Sequence, residues 1–298
     1  MRTPPGVANS AVETLLDERL GALEEAFKAD GLAIYGPLEF GLDDTVRKVV
    51  ETLKARPVQR DHLVVLVDTD GGYLDVVNRM VDTIRRHYKT VSFVIPNTAY
   101  SAGTILAMSG DSIYMDYYSR LGPIDPQVPS ENGAMIPALG YLKRYEDLIE
   151  RSKSKDGLSL AEIQLVVSGF DQAQLYMYDQ ARELSVTLLS DWLCKYKFKD
   201  WKQTEERGLP VTDEMRKKRA EDVANQLNDT DRWHSHSNGI SADVLRSELK
   251  LRIDDFGVHE KAIRQYHELL KNYSEVNGVF GVVHSLGAYL PYHVHSVE

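Results

Sequence analysis

The apolar positions of the chain change period along its length. Leu63-Val-Val-Leu-Val67 and Val91-Ser-Phe-Val-Ile95 are short aliphatic and β-branched runs without regular alternation, the pattern of strands buried on both faces. Between them Leu74, Val77, Met80, Val81 and Ile84 recur at near-helical spacing opposite a polar face, predicting a helix over Leu74 to Tyr88. The second strand closes at Pro96-Asn97, and a helix of small residues is predicted from Ser101 to Ser109. Strand, Gly-Gly turn, helix, strand, small-residue turn, helix: such a unit favours parallel strands, with both turns opening at one edge of the sheet.

The flanking segments extend this pattern. Residues 10 to 28 read as an amphipathic helix, with Ser10 and Glu13 spaced as a capping box, serving as an arm or an oligomer contact. Gly31 to Leu38 reads as a first strand and its turn. Asp43 to Leu53 reads as a helix capped by Asp43 or Asp44, and Asp111 to Met115 as a short strand. Leu121 to Val128 holds too much Pro and Gly for a regular element and is predicted to line a site. From about Pro137 to Asn228 the chain is helical and charged, with long periodicity over Leu158 to Tyr196. A helix over His259 to Tyr273 and a tail over Val279 to Val297 complete it. The division predicted is an N-terminal helical arm (1–30), an α/β core (31–140), a helical region (141–230) and a C-terminal completion of the core with a tail (231–298).

Two turns carry candidate chemistry. Gly71 and Gly72, in Asp68-Thr-Asp-Gly-Gly72, leave backbone N–H groups uncovered by any Cβ where the chain can take positive φ. Ser101, in Ala99-Tyr-Ser-Ala-Gly-Thr104, sits at a strand-to-helix turn between small residues. A hydroxyl beside free N–H groups at a helix start is the minimum for acyl transfer, a nucleophile with an oxyanion hole. Each piece alone has a plainer reading, a tight turn and a helix N-cap.

Composition narrows the classes. Acidic residues outnumber basic ones, 45 to 35, for a net charge of −10, and no basic stripe with interleaved aromatics occurs, which argues against nucleic acid as a partner. A single cysteine, Cys194, excludes an internal disulfide and suits a reducing compartment. The N-terminus lacks the apolar core of a signal peptide, and no apolar run approaches a membrane span. The sequence therefore reads as a soluble, cytoplasmic protein.

Taken together, Asp68 to Gly72, Ala99 to Thr104, Ala107-Met-Ser-Gly-Asp-Ser-Ile-Tyr-Met115 and Ser119-Arg-Leu-Gly-Pro-Ile-Asp-Pro-Gln127 resemble the Clp-protease/crotonase superfamily. Within it they are most similar to the serine dehydrogenase proteinases, relatives of signal peptide peptidase A. The resemblance implies an α/β fold of repeated ββα units, here with a helical insertion and a C-terminal extension. It also implies a serine peptidase acting through an acyl-enzyme on a peptide or protein substrate, without cofactor or metal, as a homo-oligomer. Matched motif by motif, Ser101 is the nucleophile and Gly72 and Ala102 supply the oxyanion-hole N–H groups, with 29 positions from Gly72 to Ser101.

The general base is the point of departure. Where the Clp subunit carries its histidine, after Ser119-Arg120, this chain offers Asp125. That turns attention to the Ser–Lys dyad of the signal peptide peptidase relatives. Lys143, 42 positions after Ser101, has the most apolar setting among the lysines at suitable spacing; Lys153 and Lys155 lie in a charged stretch. A lysine needs desolvation to act as a base near neutrality. His236, with His234 in Arg232-Trp-His-Ser-His-Ser-Asn-Gly239, is the alternative base, since it precedes the segment matching the Clp subunit's third catalytic residue. His-x-His without an HExxH motif or a cysteine ligand is a poor zinc site. Two rival functions stay open: a crotonase-like acyl-CoA enzyme, and a catalytically degenerate scaffold or regulated assembly.

Overall fold

The run Leu63 to Val67 is buried on both faces, as its lack of alternation predicts. Leu63, Val65 and Val67 belong to one apolar cluster, and Val64 and Leu66 to another on the opposite face. The computed structural model describes residues 7–129, 135–155, 157–204, 208–236 and 238–294. In chain order the elements are α1 (Val7–Phe27), β1 (Asp30–Tyr35), α2 (Leu42–Lys54), β2 (His62–Asp68), α3 (Leu74–His87), β3 (Thr90–Val94), β4 (Thr98–Ala99), α4 (Ala102–Met108), β5 (Ser112–Tyr114), β6 (Arg120–Leu121), β7 (Gln127–Pro129) and β8 (Met135–Pro137). Then come α5 (Ala138–Ser152), α6 (Leu160–Gly169), α7 (Gln172–Trp192), α8 (Asp213–Leu227), α9 (Thr230–Trp233), β9 (Ile240–Ser241), α10 (Ala242–Ser247), α11 (Glu260–Val276), β10 (Val279–Ser285) and β11 (Ala288–Val294).

The main sheet has the order β11-β10-β1-β2-β3-β5. Its strands β1, β2, β3 and β5 run parallel, and the hairpin β10–β11 adds antiparallel to β1. Helices α2, α3 and α4 cover one face together with α7 and α8, while α1 and α11 cover the other. A small second sheet, β4-β6-β9, stands beyond the carboxyl end of β3 and carries the chain into the Ser101 turn. This is the mixed α/β Clp-protease fold the motifs imply, with the parallel strands where the periodicity put them.

Several expectations are refined. Helix α1 is not a free arm: Leu16, Leu20 and Leu23 are fully buried against the sheet and α11. It already begins at Val7, so Ser10 lies inside its first turn, and its carbonyl accepts the Thr14 hydroxyl instead of forming a capping box. Gly41, not Asp43 or Asp44, holds the N-cap position of α2. The long periodicity over Leu158 to Tyr196 is broken between α6 and α7, where Asp171 caps α7 through the Ala173 and Gln174 N–H groups. At its far end α7 widens into a π-turn over Leu193–Lys197. Of the predicted tail over Val279 to Val297, residues 279–294 form the β10–β11 hairpin and 295–297 lie outside the described residues. No helix among the described residues is long and apolar enough to cross a membrane.

Candidate active site

The nucleophile turn and the glycine turn are fastened to each other by backbone. Thr69 N–H donates to Thr98 O (2.9 Å) and Tyr100 N–H to Thr69 O (3.0 Å). The join is completed by the buried Asp68 carboxylate at the end of β2, which accepts from Asn97 Nδ2 (3.0 Å), Thr98 Oγ1 (3.1 Å) and His267 Nε2 (2.7 Å). Burial alone would push the Asp68 carboxyl up; these donors, with His267 foremost, hold it below the ordinary carboxylate range. Sequence reading passed over this cluster, because Asp68 and His267 are 199 positions apart and nothing in either local pattern points to the other.

The glycines are required by close approach. A Cβ on Gly72 would lie 2.2 Å from Leu38 O, and one on Gly103 2.5 Å from Thr69 Cγ2. Leu38 N–H donates to Gly71 O (2.8 Å) and Tyr73 N–H to Leu38 O (2.9 Å), which pins both sides of Gly72. The Gly72 and Ala102 N–H groups themselves are unspent among the described residues, and Gly72 is exposed. Ser101 has φ 52° and ψ −121°, a strained conformation for a non-glycine residue at a strand-to-helix turn. Its hydroxyl caps nothing and makes no hydrogen bond among the described residues. Behind it, the buried Thr104 hydroxyl lies 2.7 Å from Ala99 O and accepts the Gly122 N–H (2.9 Å), tying α4 to the segment after β6.

The two candidate bases fare differently. Lys143, on α5, is exposed and paired with Asp231; that hydrogen bond and the neighbouring carboxylates raise its pKa, the opposite of what a lysine base needs. His236 is mostly buried, and its Nδ1 lies 2.9 Å from Oδ1 of Asp125, a carboxylate 2% exposed. An ionised carboxylate only accepts, so Nδ1–H donates and Nε2 is the basic nitrogen. Asp125 follows Gly122 closely, and His236 precedes β9, whose Ile240 pairs with Leu121 of β6, itself paired with Ala99 of β4. The His236–Asp125 pair thus joins the segment that follows β6 to the segment that precedes β9. Sequence reading had singled out both residues without joining them.

Among the described residues no group of three or more His, Cys, Asp or Glu side chains could hold a metal.

The sequence profile of the ClpP-like SDH-type serine proteinases matches residues 24–183. The uncharacterized protein MJ0137 of Methanocaldococcus jannaschii is 24% identical over 213 residues, covering 68% of each chain. A second uncharacterized protein of that organism, MJ1495, is 25% identical over 122 residues, 41% of this chain and 39% of its own. Among solved structures, a mutant of the 1510-N membrane-bound stomatin-specific protease in complex with a substrate peptide is 14% identical, with a TM-score of 0.45 over 88% of this chain and 87% of that one. ClpP1 from Listeria monocytogenes is 16% identical, with a TM-score of 0.29 over 56% and 91%.

Proposed function

Because the chain belongs to the family of ClpP-like SDH-type serine proteinases, we propose that it hydrolyses peptide bonds through an acyl-enzyme on Ser101. The observation that carries this reading is the unengaged Ser101 hydroxyl, fixed in a strained turn beside the unspent N–H groups of Gly72 and Ala102. Those two donors would hold the oxyanion, in a site where they cost no reorganisation as charge develops. The base is His236, oriented by Asp125. Nε2 takes the Ser101 proton during attack, delivers it to the leaving amine, and then activates the deacylating water. Relative to the Clp subunit, the histidine and the carboxylate have exchanged places in the chain. A Ser–Lys dyad through Lys143 is the second reading, resting on its spacing from Ser101; it requires the lysine to leave Asp231 and lose its proton. An extended substrate would add as a strand beside Gly72, whose strand-like partner among the described residues is Leu38.

The test is labelling with a fluorophosphonate probe, the site located by mass spectrometry. Ser101 is the labelled residue; Ser101→Ala and His236→Ala abolish labelling, and Lys143→Ala does not. Loss in Lys143→Ala with retention in His236→Ala would move the base to the lysine. An unlabelled wild type would favour the scaffold.

A further inference from the structure

Helices α5, α7 and the α8–α9 junction line a cleft of about 620 Å³ that no step of the His236 mechanism uses. Its floor is apolar, from Leu139, Leu142 and Val186. Its walls carry five carboxylates, Glu146, Asp147, Glu183, Asp229 and Asp231, against two cations, Lys143 and Arg182. Both cations are already committed, Lys143 to Asp231 and Arg182 to Asp179, whereas Glu146 and Asp147 form no ion pair among the described residues. Independently, Asn228, a residue 7% exposed, lines the cleft, and its Oδ1 is a buried acceptor with no hydrogen-bond partner among the described residues. A buried acceptor left unmet is costly and marks a missing donor.

We propose that this cleft is a binding site for an organic cation, an ammonium or guanidinium group on an aliphatic stem. The stem lies on the leucine and valine floor, the charge faces Glu146 and Asp147, and an N–H donor meets Asn228. The carboxylates are spread along three helices instead of converging on a metal cage, so an extended cation suits them better than a metal ion. The field is already visible in Lys143, whose ammonium is favoured by Asp231 first and by Asp147 and Asp229 in addition. Asp229 also caps α9, the helix that leads directly into His236, so an occupied cleft bears on the segment carrying the base.

The cation has two possible sources, a free polyamine or the Lys or Arg side chain of a peptide. The site itself does not depend on the peptidase reading; only the second source does. Calorimetric titration of the full chain with spermidine tests it without requiring turnover. The expected result is saturable binding, weakened about five- to tenfold by Glu146→Gln with Asp147→Asn, both exposed, and unchanged by Glu260→Gln on distant α11. Asn228→Ala, checked for folding by its melting curve, weakens binding as well. No saturable binding, or equal loss in Glu260→Gln, overturns the site, since general attraction to a chain of net charge −10 would then account for it. Fluorogenic peptides differing only in Lys, Arg or norleucine separate the sources. A preference for the basic peptides that vanishes in the double variant assigns the cleft to substrate. Equal cleavage, or none, with spermidine binding intact assigns it to a free cation.

Discussion

Gly71 is packed directly on Ser101: a Cβ at position 71 would lie 2.8 Å from Ser101 Cβ and 2.9 Å from Tyr100 O. Since Gly71 also has φ +109°, an alanine there meets both strain and collision. We predict that Gly71→Ala lowers the fluorophosphonate labelling rate about 100-fold and stability by about 1–3 kcal/mol. Gly140→Ala, where a Cβ would meet open space within α5, leaves both intact. Labelling at the wild-type rate in Gly71→Ala would show that the turn does not need this contact.

Asp125→Asn separates orientation from basicity. The amide keeps the size of the carboxylate but fails to fix His236 with Nδ1 as donor, so labelling slows by about 10²–10⁴ while the fold persists. Asp231→Asn frees Lys143 and, on the same reading, leaves the rate within about threefold. If instead Asp231→Asn speeds labelling and Asp125→Asn is neutral, Lys143 is the base.

How much of this was written in the sequence follows from the range of the interactions. The β2-α3-β3-α4 unit was legible because periodicity and turn chemistry are local, and the Gly72–Ser101 pairing because both turns fall at one sheet edge. Strands β4, β6 and β9 are two residues each, too short to leave a pattern. The Asp125–His236 contact spans 111 positions. Lys143 has apolar neighbours in sequence, but in α5 Leu139 and Leu142 turn inward while Lys143 faces solvent, the ordinary consequence of helical spacing.

His284 makes stability sensitive to mild acid. It is buried between Tyr266 of α11 and Asp17 of α1, with Tyr289 of β11 alongside, and burial lowers its pKa from 6.5 to about 4. The unfolded chain therefore binds the proton more readily between those values, and stability falls as pH drops from about 6.5 towards 4. Melting temperatures across that range will show the fall, and His284→Gln will flatten it. An equally steep fall in the variant would assign the effect to carboxylates.

Lys197, in the π-turn, has a buried Nζ with no hydrogen-bond partner among the described residues although its stem is partly exposed, and burial pushes its pKa down to about 8. Lys197→Met should raise stability by about 1–3 kcal/mol. The gain is full below pH 8, where the folded lysine is charged, and fades towards pH 10.5. Urea midpoints at pH 7 and pH 10 measure both. A destabilised variant at pH 7 would mean that the ammonium has a role the fold requires.

Helix α6 has no buried residue, yet Leu160 is 86% and Val167 78% exposed. On α7, the next helix in the chain, Tyr176 and Met177 are exposed as well. These exposed apolar side chains favour the homo-oligomer that the motifs imply. Light scattering should report a multimer for the wild type and a smaller species for Leu160→Glu with Val167→Glu. An unchanged mass would place the contact elsewhere.

The order in which the small sheet receives its strands has a consequence for the cell. On the proposed mechanism, Ser101 and the Gly72 and Ala102 N–H groups leave the ribosome well before β9, yet the strand that seats the His236 segment against β6 is completed only at Ser241. A nascent or truncated chain would, on that mechanism, hold a nucleophile without its base, and the growing polypeptide would be spared cleavage. A chain ended at residue 230 should stay inert to the probe that labels the full-length protein; labelling of the fragment would remove that safeguard.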